Sequence, residues 1–212
     1  MLAGCTGRAD TDLIEGESLT DTSPSATPPR PVEPQSGFQI YDSEGEAKAE
    51  GLRITMEFPE DWSSESGTRP HVLRNLSSPE GNGHGYAQIM VTPMPDGYVP
   101  TQEEIEATFD PSAAQDLIPS GTTLAASERV NVDGLPGLKV VYAIRRENVG
   151  IEASGVCEVY YTYWDGKLPQ FMFCVGEVKS QSPEALVEMF KERTPLFAQM
   201  ANSIVIHTRY AR

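Results

Sequence analysis

The chain has 212 residues, with 31 Asp and Glu against 16 Lys and Arg, and a formal net charge of −15. That length holds one ordinary domain plus a tail. The acid excess argues against nucleic acid and anionic membrane surfaces as partners, since both are bound through Lys and Arg patches. No apolar run approaches the length of a membrane-spanning helix.

The chain opens on Leu2-Ala3-Gly4-Cys5. This spelling matches the bacterial lipobox, in which a signal peptidase cuts before the cysteine and the thiol takes a diacylglyceryl group. Cys5 is therefore the predicted lipidation site, and residues 1–5 are the remnant of a signal. A signal needs a basic and an apolar segment upstream, and only Met1 precedes the motif, so the natural start is expected earlier or the signal has been removed. Residues 6–36 are rich in Ser, Thr, Pro, Asp and Glu, with Pro24, Pro28, Pro29, Pro31 and Pro34 near the end. Their apolar content is too low to offset the entropy of ordering, and the prolines favour extended chain, so the stretch reads as a disordered tether. A lipid on Cys5 followed by a polar spacer holds a domain off a bilayer. The residue after the cysteine is Thr6, not the aspartate that retains lipoproteins at the inner membrane. The expected location is the bacterial cell envelope, at the periplasmic face of the outer membrane if the host is Gram-negative.

A single folded domain is expected over 37–207, with 208–212 as a short tail. Phe38 to Tyr41 is a short strand. Leu52, Ile54, Met56 and Phe58 alternate with polar residues and share one face of a second strand, which Pro59 stops shortly before Trp62. Val72 to Leu76 is a third strand, and a glycine-rich turn at Gly81, Gly83 and Gly85 leads into a fourth from Tyr86 to Met94. Thr101 opens a helix, with Glu104 completing a capping box and Ile105 and Phe109 on one face. Asp110-Pro111 ends it.

Four strands then form an antiparallel meander, the organising sheet of the chain. Thr123 to Val132 and Gly137 to Arg146 are joined across Asp133-Gly134-Leu135-Pro136-Gly137. Val156 to Trp164 and Phe171 to Val175 are joined at Asp165-Gly166, a pair suited to the positive φ angles of a type I′ turn. A two-residue turn there pairs Trp164 with Lys167, and counting outward sets Cys157 opposite Cys174 at a non-hydrogen-bonded position, where side chains approach most closely. Outside the cytoplasm this pair is a predicted disulfide, leaving Cys5 for lipid. Pro169 opposes that register, because it falls opposite Thr162 where an N–H is wanted. A turn of three to five residues would move the two cysteines apart and leave two buried thiols. The last helix starts at Ser182 with Pro183 in its first turn. Its apolar positions Leu186, Met189, Phe190, Phe197 and Met200 recur at helical spacing, and Pro195 is expected to kink or split it. Ser203 to Ile206 is a closing strand.

Four features carry a family resemblance: the strand ending Phe58-Pro59-Glu60-Asp61-Trp62, the Val132-Asp133-Gly134 turn, the Tyr163-Trp164-Asp165-Gly166-Lys167 hairpin, and the long helix running into Asn202-Ser203-Ile204-Val205-Ile206. From Gly37 to His207 the chain resembles the PsbP-like family, which includes bacterial envelope lipoproteins of the DcrB and LpqN kinds. The resemblance implies an α+β fold, a central antiparallel β-sheet flanked by helices as an α/β/α sandwich. It carries over no catalytic residue, and members differ in function.

The chain has no nucleophile elbow, phosphate-binding glycine loop or dinucleotide fingerprint. Gly81-Asn82-Gly83-His84-Gly85 lacks the lysine and the following helix of a phosphate nest and reads as a flexible turn. His71, His84 and His207 are scattered. His71, His84 and Glu80 could approach one another around one loop, but exposed loop histidines are the simpler reading. Glu103, Glu104 and Glu106 form a solvated face at a helix N-terminus. Tyr160, Tyr161, Tyr163 and Trp164 are expected as core before ligand contacts. No catalytic, cofactor-binding or metal residues are predicted, and no cofactor. The expected function is that of a non-enzymatic envelope lipoprotein that binds an unidentified envelope protein as an adaptor or assembly factor. Two alternatives are a small-molecule or metal-binding lipoprotein with a pocket between sheet and helix, and an enzyme with a dispersed site.

Overall fold

The computed structural model describes residues 34–80, 85–96, 98–148, 151–177 and 182–211. Cys5 and most of the predicted tether, like His84 and the glycines at 81 and 83, lie outside the described residues. Among the described residues, ten strands form two antiparallel sheets. The smaller contains β1 (Phe38–Asp42), β2 (Ile54–Pro59) and β10 (Val205–Ile206), in the order β1-β2-β10. The larger has seven strands: β3 (Ser63–Ser66), β4 (Val72–Ser77), β5 (Tyr86–Pro93), β6 (Thr123–Val132), β7 (Leu135–Asn148), β8 (Ile151–Thr162) and β9 (Lys167–Glu177). Their order is β3-β4-β5-β9-β8-β7-β6. The expected meander is its second half, and β5 joins it by pairing with β9.

The register follows from the turns. Asp165 and Gly166 both have positive φ, 52° and 74°, as a type I′ turn needs. Trp164 and Lys167 exchange both backbone hydrogen bonds, at 3.0 and 3.1 Å. Counting outward without a bulge brings Cys157 opposite Cys174, with their Cα atoms 4.1 Å apart, and a disulfide joins them. The regular β8–β9 pairing runs from Ser154–Glu177 to Tyr161–Gln170, and beyond the Thr162–Pro169 step only the Trp164–Lys167 bridge follows. Proline lacks the N–H that this step requires. The tight turn is thus compatible with Pro169, because the hairpin gives up ladder bonds locally and keeps its register. The β6–β7 turn is tighter than expected. Asp133 and Gly134, at φ 49° and 73°, form the whole turn, and β7 restarts at Leu135.

Alternation along these strands loads both faces of the large sheet with apolar residues. One face presents Leu76, Ile89, Val156, Phe171, Phe173 and Val175. It packs against the small sheet, through Ile54, Met56 and Phe58, and against α3 (Pro183–Asn202). Phe197 of α3 stacks on Phe173 with ring centroids 5.7 Å apart, and Tyr160 meets Phe173 edge-on at 5.9 Å. The other face presents Leu138, Val140, Tyr142, Cys157, Val159 and Tyr161. Its cover is α1 (Gln102–Thr108), α2 (Ala114–Leu117) and the chain around them, through Phe109, Ala114 and Ile118. The fold is α+β, with helical layers on both faces of an antiparallel sheet and the small sheet beside α3.

Several expectations change. α3 runs unbroken through Pro195 for 20 residues, because its apolar stripe continues past the proline to Phe197 and Met200, both fully buried. Residues 208–210, expected as part of a tail, are half-buried and held, while Ala211 is exposed. His207–Arg209 is a 3-10 turn, the Tyr210 hydroxyl donates to Asp133 Oδ1 at 2.7 Å, and the Ile206 N–H donates to Asp133 Oδ2 at 2.9 Å. A short polar tail can order where a carboxylate in the facing turn satisfies its donors. The edge strand β3 reads Ser-Ser-Glu-Ser, with every residue exposed, and carries no apolar alternation by which to find it.

Candidate functional site

Among the described residues, two clefts and a buried charge cluster are candidate places for chemistry or binding. The charge cluster lies on β6, β7 and β8. Glu158 is 1% exposed, its Oε2 is 3.6 Å from Lys139 Nζ, and its Oε1 has no hydrogen-bond partner. Lys139 also meets Glu128 at 3.1 Å and lies 5.8 Å from the centre of the Tyr160 ring. Burial raises the Glu158 carboxyl above its ordinary range, against the attraction of Lys139. Burial, and next the charge of Glu158, push the Tyr160 phenol up to about 12. Displaced titrations can mark an active site, but this cluster lines neither cleft. Glu158 stands between Val141 on β7 and Phe173 on β9 in the sheet interior, which makes it part of the packing and not a centre open to substrate.

The first cleft is about 370 Å³ and lies where the 98–101 loop and α1 approach the β8–β9 turn. Val99, Ile105, Leu135, Pro136, Tyr163 and Trp164 give it an apolar lining. Each wall is fixed locally. The Thr101 side chain accepts from the Glu104 N–H, and Glu104 Oε2 accepts from the Thr101 N–H at 2.7 Å, so the capping box sets where the loop enters α1. These bonds also hold the Glu104 carboxyl below its ordinary range. Across the cleft, the Gly166 N–H donates to the Tyr163 hydroxyl at 3.1 Å and fastens that ring to the turn. The rim is exposed: Val99 is 77% accessible and Tyr98 41%.

The second cleft is about 580 Å³ and lies between the small sheet and the C-terminal half of α3. Ile40, Thr55, Glu57 and Val205 line it from the sheet, and Pro195, Ala198, Gln199 and Asn202 from the helix. Ser203, just past the helix, accepts from the Glu57 N–H at 2.8 Å and donates to the Met200 carbonyl at 2.7 Å, which ties the helix end to β2. Gln199 donates to Gln35 at 2.8 Å, and Thr55 Oγ1 meets His207 Nε2 at 2.9 Å. Glu57 is only 6% exposed, and its Oε2 has no hydrogen-bond partner.

Among the sequence-predicted positions, Cys157 and Cys174 are joined on the face covered by α1 and α2. The four aromatics divide as alternation requires: Tyr160 and Trp164 pack toward α3, and Tyr161 and Tyr163 toward α1 and α2. Tyr161 donates to the Leu117 carbonyl at 2.8 Å. Glu80 meets Arg193 of α3 at 3.4 Å, and His71 accepts from the Val91 N–H through its backbone. Among the described residues no three His, Cys, Asp or Glu side chains are grouped to hold a metal ion. No described helix is long and apolar enough to cross a membrane. Glu57 escaped the sequence reading. It sits opposite the Ile54-Met56-Phe58 face, where a carboxylate normally meets water, and only the placement of α3 encloses it.

No family model matches the chain, and no curated protein matches it in sequence. Solved structures of similar fold do exist, and they are of the kind the sequence resembles. One is the solution structure of cyanobacterial PsbP (CyanoP) from Synechocystis, 15% identical, covering 85% of this chain and 98% of that one at a TM-score of 0.49. Another is LpqN, described as involved in cell envelope biogenesis of Mycobacterium tuberculosis, 11% identical, covering 80% of this chain and 91% of that one at a TM-score of 0.45. The fold itself rests on the strand order and helix layers described above.

Proposed function

We propose that this chain is a non-enzymatic envelope lipoprotein that binds a protein partner as an adaptor or assembly factor, anchored through lipid on Cys5 and held off the membrane by residues 6–36. The observation that carries the reading is the exposed Tyr98–Val99 rim beside the Tyr163–Trp164 cleft. An exposed apolar surface joined to aromatic residues is the composition expected at the core of a protein interface. A tether adds reach, so the rim can meet a partner some distance from the bilayer.

The test is chemical crosslinking in native membranes, followed by affinity capture of the full-length chain. A discrete crosslinked partner, lost in Val99→Asp, is expected. The captured chain should carry a diacylglyceryl mass on Cys5. A blank under conditions that recover other lipoprotein complexes would refute the partner, and an unmodified Cys5 would refute the anchor.

A further inference from the structure

The cleft between the small sheet and α3 plays no part in that reading, and its chemistry points elsewhere. Its volume of about 580 Å³ is within the range of small-molecule sites. Ile40, Val205, Pro195 and Ala198 give it apolar walls, and the amides of Gln35, Gln199 and Asn202 stand around them. At one side is Glu57, 6% exposed as a residue, whose carboxylate Oε2 has no hydrogen-bond partner among the described residues. A buried carboxylate oxygen without a donor is costly and is most favourably relieved by a hydrogen-bonding cation.

The end of α3 points the same way. A long helix carries a partial negative charge at its C-terminus, and the last turn of this 20-residue helix holds no basic residue to offset it. Asn202 and Ser203, at that terminus, line the cleft next to Glu57. On the same sheet, Arg53 is held by Asp42 at 2.8 Å and Glu44 at 3.0 Å, and the His207 ring by Thr55 at 2.9 Å. Among the described residues Glu57 has no ion-pair partner. The net charge of −15 further raises the local concentration of cations. An anion would meet both Glu57 and the helix terminus with the wrong sign. A hard metal ion would find one carboxylate where it needs six or more oxygen ligands.

We propose that this cleft binds a small organic cation, an ammonium or amidinium head on an apolar body, with the head on the Glu57 carboxylate and the body between Ile40, Val205 and Ala198. The amides of Gln199 and Asn202 are placed to take the remaining donors of the head. The site is distinct from the Tyr98–Val99 rim and does not depend on it.

The experiment is isothermal titration calorimetry of the full chain with benzylamine and benzamidine, against benzyl alcohol and benzoate at matched ionic strength. Saturable binding of the two cations is expected, with benzyl alcohol at least tenfold weaker and benzoate silent. Glu57→Gln, confirmed as folded by its circular dichroism melt, should weaken both cations at least tenfold. Ala198→Trp, which fills the cleft and keeps the carboxylate, should do the same, so a folding defect in one variant does not decide the outcome. Equal binding of benzyl alcohol and benzylamine, unchanged binding in Glu57→Gln, competition by calcium alone, or no binding of either cation at millimolar concentration would each overturn the proposal.

Discussion

Reducing the Cys157–Cys174 bridge should lower the melting temperature by about 6–12 °C. The bridge joins residues 17 apart in sequence. Its cross-link removes loop-closure entropy from the unfolded chain, and for a loop of that size the chain-entropy relation yields about 3 kcal/mol at 25 °C. For a domain of this length each kcal/mol shifts the melt by about 2–4 °C. Both cysteines are buried, at 2% and 8% exposure, and a free buried thiol packs as a small apolar group, so the reduced protein keeps its core and the difference reports mainly on the unfolded state. The assay is a circular dichroism melt of the oxidised protein against protein unfolded, reduced and refolded in a phosphine reductant. Free-thiol counting should find none in the first sample and two more than the lipid-bearing Cys5 contributes in the second. A shift under 2 °C would refute the reasoning, since it would mean that the Asp165-Gly166 hairpin already persists in the unfolded chain and leaves the bridge nothing to constrain.

Gly137→Ala should be among the most damaging single-methyl additions. A Cβ there would lie 2.3 Å from the Tyr161 carbonyl oxygen, and backbone inside a seven-stranded sheet has no room to yield. A loss of about 3 kcal/mol is expected by analogy with overpacked cores, read as a shifted urea midpoint; an unchanged midpoint would contradict the β7–β8 register. Glu158→Gln should stabilise the protein near pH 7.5, and the gain should shrink as the pH falls toward 4. Burial holds the folded carboxyl above its ordinary 4.5, so the folded state is favoured while the group is protonated in both states. That advantage is lost as the pH rises through the raised value, because the folded protein then carries a buried charge. Melts at both pH values check this, and a destabilised variant at pH 7.5 would show that the Lys139 contact outweighs desolvation.

The parts of this fold that were legible in the sequence are those fixed within about ten residues. Asp165-Gly166 requires positive φ twice, and that sets the turn, the register and the opposition of Cys157 to Cys174. Thr101 with Glu104 marks a helix start because each side chain accepts from the other's N–H, and Ser182 marks another because its side chain accepts from the Ala185 N–H while Pro183 needs no donor at the first helical position. Pro195 misled for the complementary reason. Its local effect on a helix is unfavourable, but Phe197 and Met200 beyond it are held by Phe173 and the small sheet, contacts that the local sequence does not display. β3 was invisible because nothing in Ser63–Ser66 is apolar, and its existence depends on the edge that β4 offers.

The Glu57 cleft shows why the site was harder to read than the scaffold. Along β2 the alternation is unambiguous, and by itself it sends Glu57 to solvent. What encloses the carboxylate is the hydrogen bond from its own N–H to Ser203, 146 residues later, which fastens the end of α3 over that strand. The same contact, with the packing of Phe197 and Met200, holds the negative end of the helix beside β2, so the enclosure and the electrostatic bias toward a cation both depend on non-local contacts. A structural role for Glu57 would require a partner for its buried oxygen, and the described residues offer none. Burying a carboxylate that helps no neighbour disfavours folding. A donor arriving from outside the chain into the cleft that Glu57 lines would offset that cost.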